Sequence, residues 1–141
     1  MLLPNFREFI RLVNHRKNDN GNGWIDPAAL SLIEEHKFDA LLVTRGKEGM
    51  TLFETVSGAL SREDIPAVSQ AVFDVTGAGD TSIAVFALCL AAGATRSQGA
   101  QIANVAAGIV VSKRATALVT VEELRERIVK TGKESSVEAH A

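Results

Sequence analysis

The residues best suited to chemistry lie in the run Phe73-Asp-Val-Thr-Gly-Ala-Gly-Asp-Thr81. Gly77, Ala78 and Gly79 carry almost no side chain, so their backbone N–H groups can face a large anion at close range. A helix starting there would add partial positive charge. Asp80 stands at the same mouth, where its carboxylate could take a proton from an attacking hydroxyl. Donors that stabilise charge, beside a base that activates a nucleophile, are what phosphoryl transfer requires. The run also reads as a plain tight turn with an N-cap aspartate, since glycine-rich turns before helices are common. It is not a P-loop, because no Gly-Lys-Ser/Thr follows at the required spacing. Nor is it a dinucleotide Gly-x-Gly-x-x-Gly, because Ser82 occupies the place of the third glycine.

Other candidates each have two readings. Asn5 and Glu8 stand at N-cap and N3 spacing, as a phosphate-side pair or as a capping box. Thr44, Gly46 and Gly49 surround a turn that could approach a ligand or merely close a hairpin. Asp74 can bond its own backbone in a turn, and Asn104 can be an ordinary solvated helix residue. His15, His36 and His140 lack metal-ligand spacing, which argues against zinc. Trp24 reads as a cap on the core edge, and Cys89, the one cysteine, as a core thiol.

The elements that must position these residues are α and β. A first helix is expected over Asn5 to Val13, then an Asn/Gly loop from Asn18 to Trp24. A second helix starts at Asp26-Pro27, with Asp26 as cap, and runs to about His36. Asp39–Thr44 is a compact apolar run suited to a buried strand, Arg45–Gly49 a turn, and Met50–Thr55 a partner strand. Val56–Gln70 is read as irregular and Ala71–Phe73 as a further short strand. From Thr81 the pattern turns helical: Ile83, Phe86, Ala87 and Leu90 share a face, but the opposite face is also small or apolar. A Ser82–Ala92 helix buried on most sides is therefore expected. Ile102, Val105, Ala106 and Ile109 repeat the spacing in a third helix. A last one begins at a Thr120/Glu123 capping box, with Val121, Leu124 and Ile128 on one face. The tail from Gly132 to Ala141 is read as frayed or disordered, leaving residues 1–131 as the folded part. Strands mixed with helices define an α/β class in which parallel strands are expected to dominate.

The 141 residues suit one domain able to bury a core, and 46% hydrophobic against 23% charged residues is a folding composition. A net charge of −2 argues against nucleic acid as a partner. The uncharged stretch Thr81–Thr95 is too short for a membrane span, and no signal peptide is visible, so a cytoplasmic protein is expected.

Four segments, in order, resemble the ribokinase-like (PfkB) carbohydrate kinases. Asp74-Val-Thr-Gly-Ala-Gly-Asp80 is similar to the family's C-terminal signature, and Asn5-Phe-Arg-Glu8 to its Asn-x-x-Glu motif. Thr44-Arg-Gly-Lys-Glu-Gly49 is similar to its Thr-x-Gly-x-x-Gly nucleotide turn, and Ala103–Lys113 to its adenine-side helix. Leu-Leu-Val-Thr, Asp-Val-Thr-Gly-Ala-Gly-Asp-Thr and Ala-Ala-Gly-Ile-Val-Val look nearest to the heptose 7-phosphate kinase branch, which serves lipopolysaccharide precursor synthesis.

The resemblance implies the C-terminal portion of a Rossmann-type three-layer α/β/α fold and ATP-dependent phosphorylation of a sugar or sugar-phosphate hydroxyl. It implies Asp80 as base and Gly77, Ala78 and Gly79 as the anion hole. Thr44, Gly46 and Gly49 would hold ATP, with Asn5 near its phosphates and Asn104 near its base. Glu8 would act on Mg2+ through water, and Asp74 with the backbone around Thr76 would resemble a site for a monovalent cation such as K+.

Two departures stand out. The family's sugar-binding half has no counterpart in this sequence. Lys113-Arg-Ala-Thr116 places Ala115 where the heptose-kinase branch has glycine. The readings are therefore a kinase portion that pairs with a missing N-terminal half, a catalytically inactive nucleotide-binding or regulatory module, and a partner domain or homo-oligomer using an exposed sheet edge.

Overall fold

The computed structural model describes residues 1–14, 22–68, 74–113 and 118–138. The chain forms two compact units, Met1–Pro66 and Ala67–Ala141.

The first unit begins with Leu2–Asn5 running alongside the first strand, β1 (Ala40–Thr44), through parallel bridges Leu2↔Leu41 and Asn5↔Thr44. The amide of Thr44 donates to the carbonyl of Pro4 at 3.0 Å. Helix α1 (Phe6–Leu12) follows at once, and α2 spans Ile25–His36. Asp26 is not its cap, contrary to expectation. The helix starts at Ile25 after a short 3-10 turn at Asn22–Trp24, and the Asp26 carboxylate accepts instead from Arg62 at 2.8 Å. Phe9, Ile25, Ala29, Leu32, Ile33, Leu41, Val43 and Phe53 pack together as a core, and Trp24 stacks on Phe9 at its edge, where it was expected to cap.

The sheet corrects two expectations. Strands β1, β2 (Met50–Val56) and β3 (Ala59–Ile65) form an antiparallel meander, so parallel strands do not dominate among the described residues. The reason is connection length: parallel neighbours need a crossover of a dozen or more residues, and Arg45–Gly49 supplies five. Nor is Val56–Ile65, within the segment read as irregular, without regular structure. Ser57 and Gly58, at φ 52° and 81°, make a tight hairpin of the kind whose two central residues both take positive φ. Polar β3 escapes an apolar-alternation test because charge pairs hold it: Arg62 bonds Asp64 at 2.9 Å and Asp26 at 2.8 Å.

The second unit is helical: α3 (Ala78–Ala91), α4 (Arg96–Val111) and α5 (Val121–Glu138). Helix α3 packs on α4 through Phe86, against which a Cβ at Gly99 would stand only 3.2 Å away, so the glycine permits the close approach. Burial of α3 is one-sided. Phe86 and Ser82 are buried and Leu90 partly so, whereas Ile83 and Leu88 are 48% and 70% exposed. Neighbours among the described residues cover one face only, and an all-round apolar pattern cannot say how many faces are covered. Cys89 lies partly buried on the covered side, where desolvation raises its thiol pKa. A Thr95/Gln98 capping box opens α4, and a Thr120/Glu123 box with mutual bonds of 2.9 and 3.2 Å precedes α5. The helical backbone continues through Gly132 to Glu138, inside the segment read as tail. The expected Ala71–Phe73 strand, His15, His140 and the Ala115 departure lie outside the described residues. No described helix is long and apolar enough to cross a membrane.

Candidate functional site

The candidate residues divide between the units. In the first, the structure brings five of them together. The parallel bridge sets Asn5 beside Thr44, so the start of α1 and the turn after β1 are neighbours. Asn5 and Glu8 form the capping box in full: Asn5 Oδ1 accepts from the Glu8 amide at 2.9 Å, and Glu8 Oε2 accepts from the Asn5 amide at 2.8 Å. The capping reading is thus correct, and it fixes the direction of the Glu8 carboxylate. The other Glu8 oxygen has no protein partner among the described residues.

The turn is closed by Arg45 N–H to the Gly49 carbonyl at 2.7 Å and Gly49 N–H to the Gly46 carbonyl at 3.0 Å. Gly46 at φ 59° and Gly49 at φ 92° take conformations that side chains resist. A Cβ at Gly46 would meet nothing within 4 Å, so the turn presents bare backbone to open space. Arg45, inside the motif but not among its expected contact residues, reaches four neighbours.

In the second unit, Asp74 Oδ1 accepts from the Thr76 amide at 2.8 Å, an Asx turn leading into α3. Those hydrogen bonds from Thr76 hold the Asp74 carboxyl below its ordinary range. Gly77, at φ 80°, turns the chain into the helix in a left-handed conformation that a Cβ would strain. The Ala78 amide donates back to Val75 at 3.2 Å, while the amides of Gly77, Gly79 and Asp80 find no acceptor among the described residues. A Cβ at Gly79 would meet nothing within 4 Å, so the flank of the helix at that position is open among the described residues. Asp80 stands exposed at the third position of α3, beside them. Unpartnered donors and the helix dipole favour an anion there.

Asn104 is not the solvated helix residue its type allowed: it is 5% exposed on α4. The described residues hold no group of three metal-ligating side chains. A single exposed carboxylate such as Glu8 nevertheless suits Mg2+, which keeps its waters and is commonly held by one or two carboxylates plus substrate phosphates.

The sequence matches a family model, "pfkB family carbohydrate kinase", over residues 1–123. The chain belongs to the pfkB family of carbohydrate kinases, and its fold is the α/β fold of ribokinase-like proteins. Among curated proteins, it is 44% identical to the Bifunctional protein HldE of Coxiella burnetii over 128 residues, 91% of this chain and 26% of that relative. The chain thus spans about a quarter of the length of that protein. Among solved structures, phosphofructokinase-2 from Escherichia coli in complex with potassium superposes with a TM-score of 0.78 at 18% identity, over 92% of this chain and 40% of that one. Arabidopsis thaliana ribokinase complexed with ribose and ATP gives 0.74 at 23%, over 89% and 40%. At these identities the likeness is one of fold.

Proposed function

We propose that this chain is the nucleotide and phosphoryl-transfer portion of a carbohydrate kinase, acting on a sugar-phosphate hydroxyl with ATP as donor. The observation that carries the reading is the mouth of α3. The backbone donors of Gly77, Gly79 and Asp80 have no acceptor among the described residues, and the exposed Asp80 carboxylate stands beside them. Asp80 takes the proton from the acceptor hydroxyl as its oxygen attacks the γ-phosphorus. The bond to the β-bridging oxygen breaks, and ADP leaves with that electron pair. The amides stabilise the charge that develops on the transferring group. The Gly46–Gly49 backbone and Asn5 hold the nucleotide, and Asn104 lies on its base side. Glu8 orients water on Mg2+, which when bound neutralises phosphate charge. Asp74 and the Thr76 backbone take a monovalent cation, a reading supported by the potassium in the phosphofructokinase-2 complex. Heptose 7-phosphate is the proposed acceptor, on the resemblance of Leu41–Thr44 and Asp74–Thr81 to that branch, and an ATP consumer of this kind belongs in the cytoplasm.

The sugar side is supplied by a polypeptide carrying the rest of the fold. Two observations support this. The solved kinases carry the matched region as about 40% of their chains. Ile83, Ala84, Ala87, Leu88 and Ala91 leave the outer face of α3 apolar and exposed, on the same side as Asp80.

The test pairs ATP binding with turnover, for wild type and Asp80→Asn, with that second part supplied. Loss of a general base lowers turnover by roughly 10²–10⁴-fold, while the isosteric amide leaves ATP affinity within a few-fold. Wild-type turnover in Asp80→Asn would refute the assignment of the base. ATP binding by wild type without turnover on any sugar phosphate would favour an inactive nucleotide-binding module.

A further inference from the structure

Arg45 lies inside the turn between Thr44 and Gly49, yet its side chain points inward and is only 18% exposed. Its guanidinium meets four elements of the first unit. One terminal nitrogen is 2.6 Å from Glu48 Oε2, within the turn itself. The other lies 3.4 Å from Thr51 Oγ1 on β2 and 3.7 Å from Asp64 Oδ1 on β3. Its Cζ lies 5.5 Å from the centre of the ring of Phe6, the first residue of α1. The chain of charge continues, because Thr51 donates to Asp64 at 2.7 Å, and Asp64 shares Arg62 with Asp26 on α2. Arg45 Nε is buried without a partner. A surface arginine avoids that cost by turning outward, so these contacts hold the side chain in place.

We propose that Arg45 is a positioning residue. It ties the Gly46–Gly49 turn to the start of α1 and to the sheet, and so holds the turn's backbone and Asn5 in the one register that receives a nucleotide's phosphates. The proposal rests on the nucleotide-binding reading above. Three backbone hydrogen bonds close the turn on itself, but among the described residues the turn's side-chain anchor to α1, β2 and β3 is this guanidinium. The planar fork allows several contacts at once. A lysine ammonium, a point charge on a flexible stem, cannot make the same set.

The experiment compares ATP titrations in the presence of Mg2+ and thermal melts for the full chain and for Arg45→Gln, Arg45→Lys and Arg62→Gln. Misplacing a binding group through its support costs roughly ten- to a hundredfold, and that loss of ATP affinity is expected for Arg45→Gln. Arg45→Lys recovers part of the loss. Arg62→Gln breaks the distal end of the same network, so it lowers the melting temperature but leaves ATP affinity within about twofold. That separation is what a merely structural arginine would not produce. Should Arg45→Gln fail to fold, Arg45→Lys decides: weaker ATP binding at an unchanged melting temperature supports the proposal, and wild-type affinity overturns it. Equal losses in Arg45→Gln and Arg62→Gln also overturn it. A wild-type chain that binds no ATP refutes the nucleotide reading itself, and the positioning role falls with it.

Discussion

Replacing Gly79 by alanine separates fold from function at the mouth of α3, because the structure assigns the two effects opposite signs. Gly79 is the second residue of the helix, its φ is not positive, and an added Cβ meets nothing within 4 Å. A methyl group there relieves the entropy penalty of a helical glycine, about 1 kcal/mol in a helix interior and about half that in the first turn. For a unit of this size class, 1 kcal/mol moves a melting temperature by about 4–8 °C, so Gly79→Ala should melt about 2–4 °C higher. On the proposed reading the same methyl would crowd an anion approaching the amides of Gly79 and Asp80, which have no acceptor among the described residues. Losing one hydrogen bond to a charged phosphate costs about 1.5–3 kcal/mol, or roughly ten- to a hundredfold in Kd for ATP. Gly77→Ala is the contrasting control: at φ 80° it is strained by about 1–2 kcal/mol and should melt lower. The assay is a thermal melt and an ATP titration on all three chains. An alanine at Gly79 that melts lower would contradict the open space around that position. One that melts higher and binds ATP unchanged would show that the anion sits elsewhere.

Three further outcomes are expected. Phe9→Ala empties a fully buried site at the centre of the first unit's core and should cost about 3–5 kcal/mol, read by denaturant unfolding. Asn5→Ala removes one half of the α1 capping box and should cost about 1 kcal/mol in the same assay, while releasing the Glu8 amide and weakening nucleotide binding. Burial pushes the Asp64 carboxyl up, but hydrogen bonds from Thr51 and Arg62 and the charges of Arg62 and Arg45 outweigh it, so its folded pKa lies below the ordinary value. The stability that shift contributes is present above about pH 4 and is lost as pH falls through the folded value; Asp64→Asn should flatten this acid limb of a pH–stability curve.

Much of the site was legible as residue types. The two glycine turns, the Asn5/Glu8 spacing and Asp80 are each set by local backbone chemistry, and local rules recover them. The Asn5/Glu8 and Thr120/Glu123 capping boxes formed as their spacing required, because a cap involves only residues three apart. The burial of Asn104 was not legible, since a helical pattern of small residues does not say which faces are covered. β3 was missed because a hydrogen bond from Thr51 on β2 and an ion pair to Asp26 on α2 hold it in place of an apolar stripe. Arg45 was visible only as one letter of a motif; its partners are 3, 6 and 19 positions away along the chain, with Phe6 further still.

The sequence by itself determined the chemistry available: bare amides at Gly77–Gly79, a carboxylate at Asp80, and left-handed turns that only glycine takes without strain. These depend on the residue and its nearest neighbours. Only the tertiary structure decided that Asn5 and Thr44 are joined, that α3 keeps an apolar face exposed, and that Arg45 turns inward. Those outcomes depend on which distant surfaces meet, and burial and charge pairing between segments set them where local preference leaves several answers open.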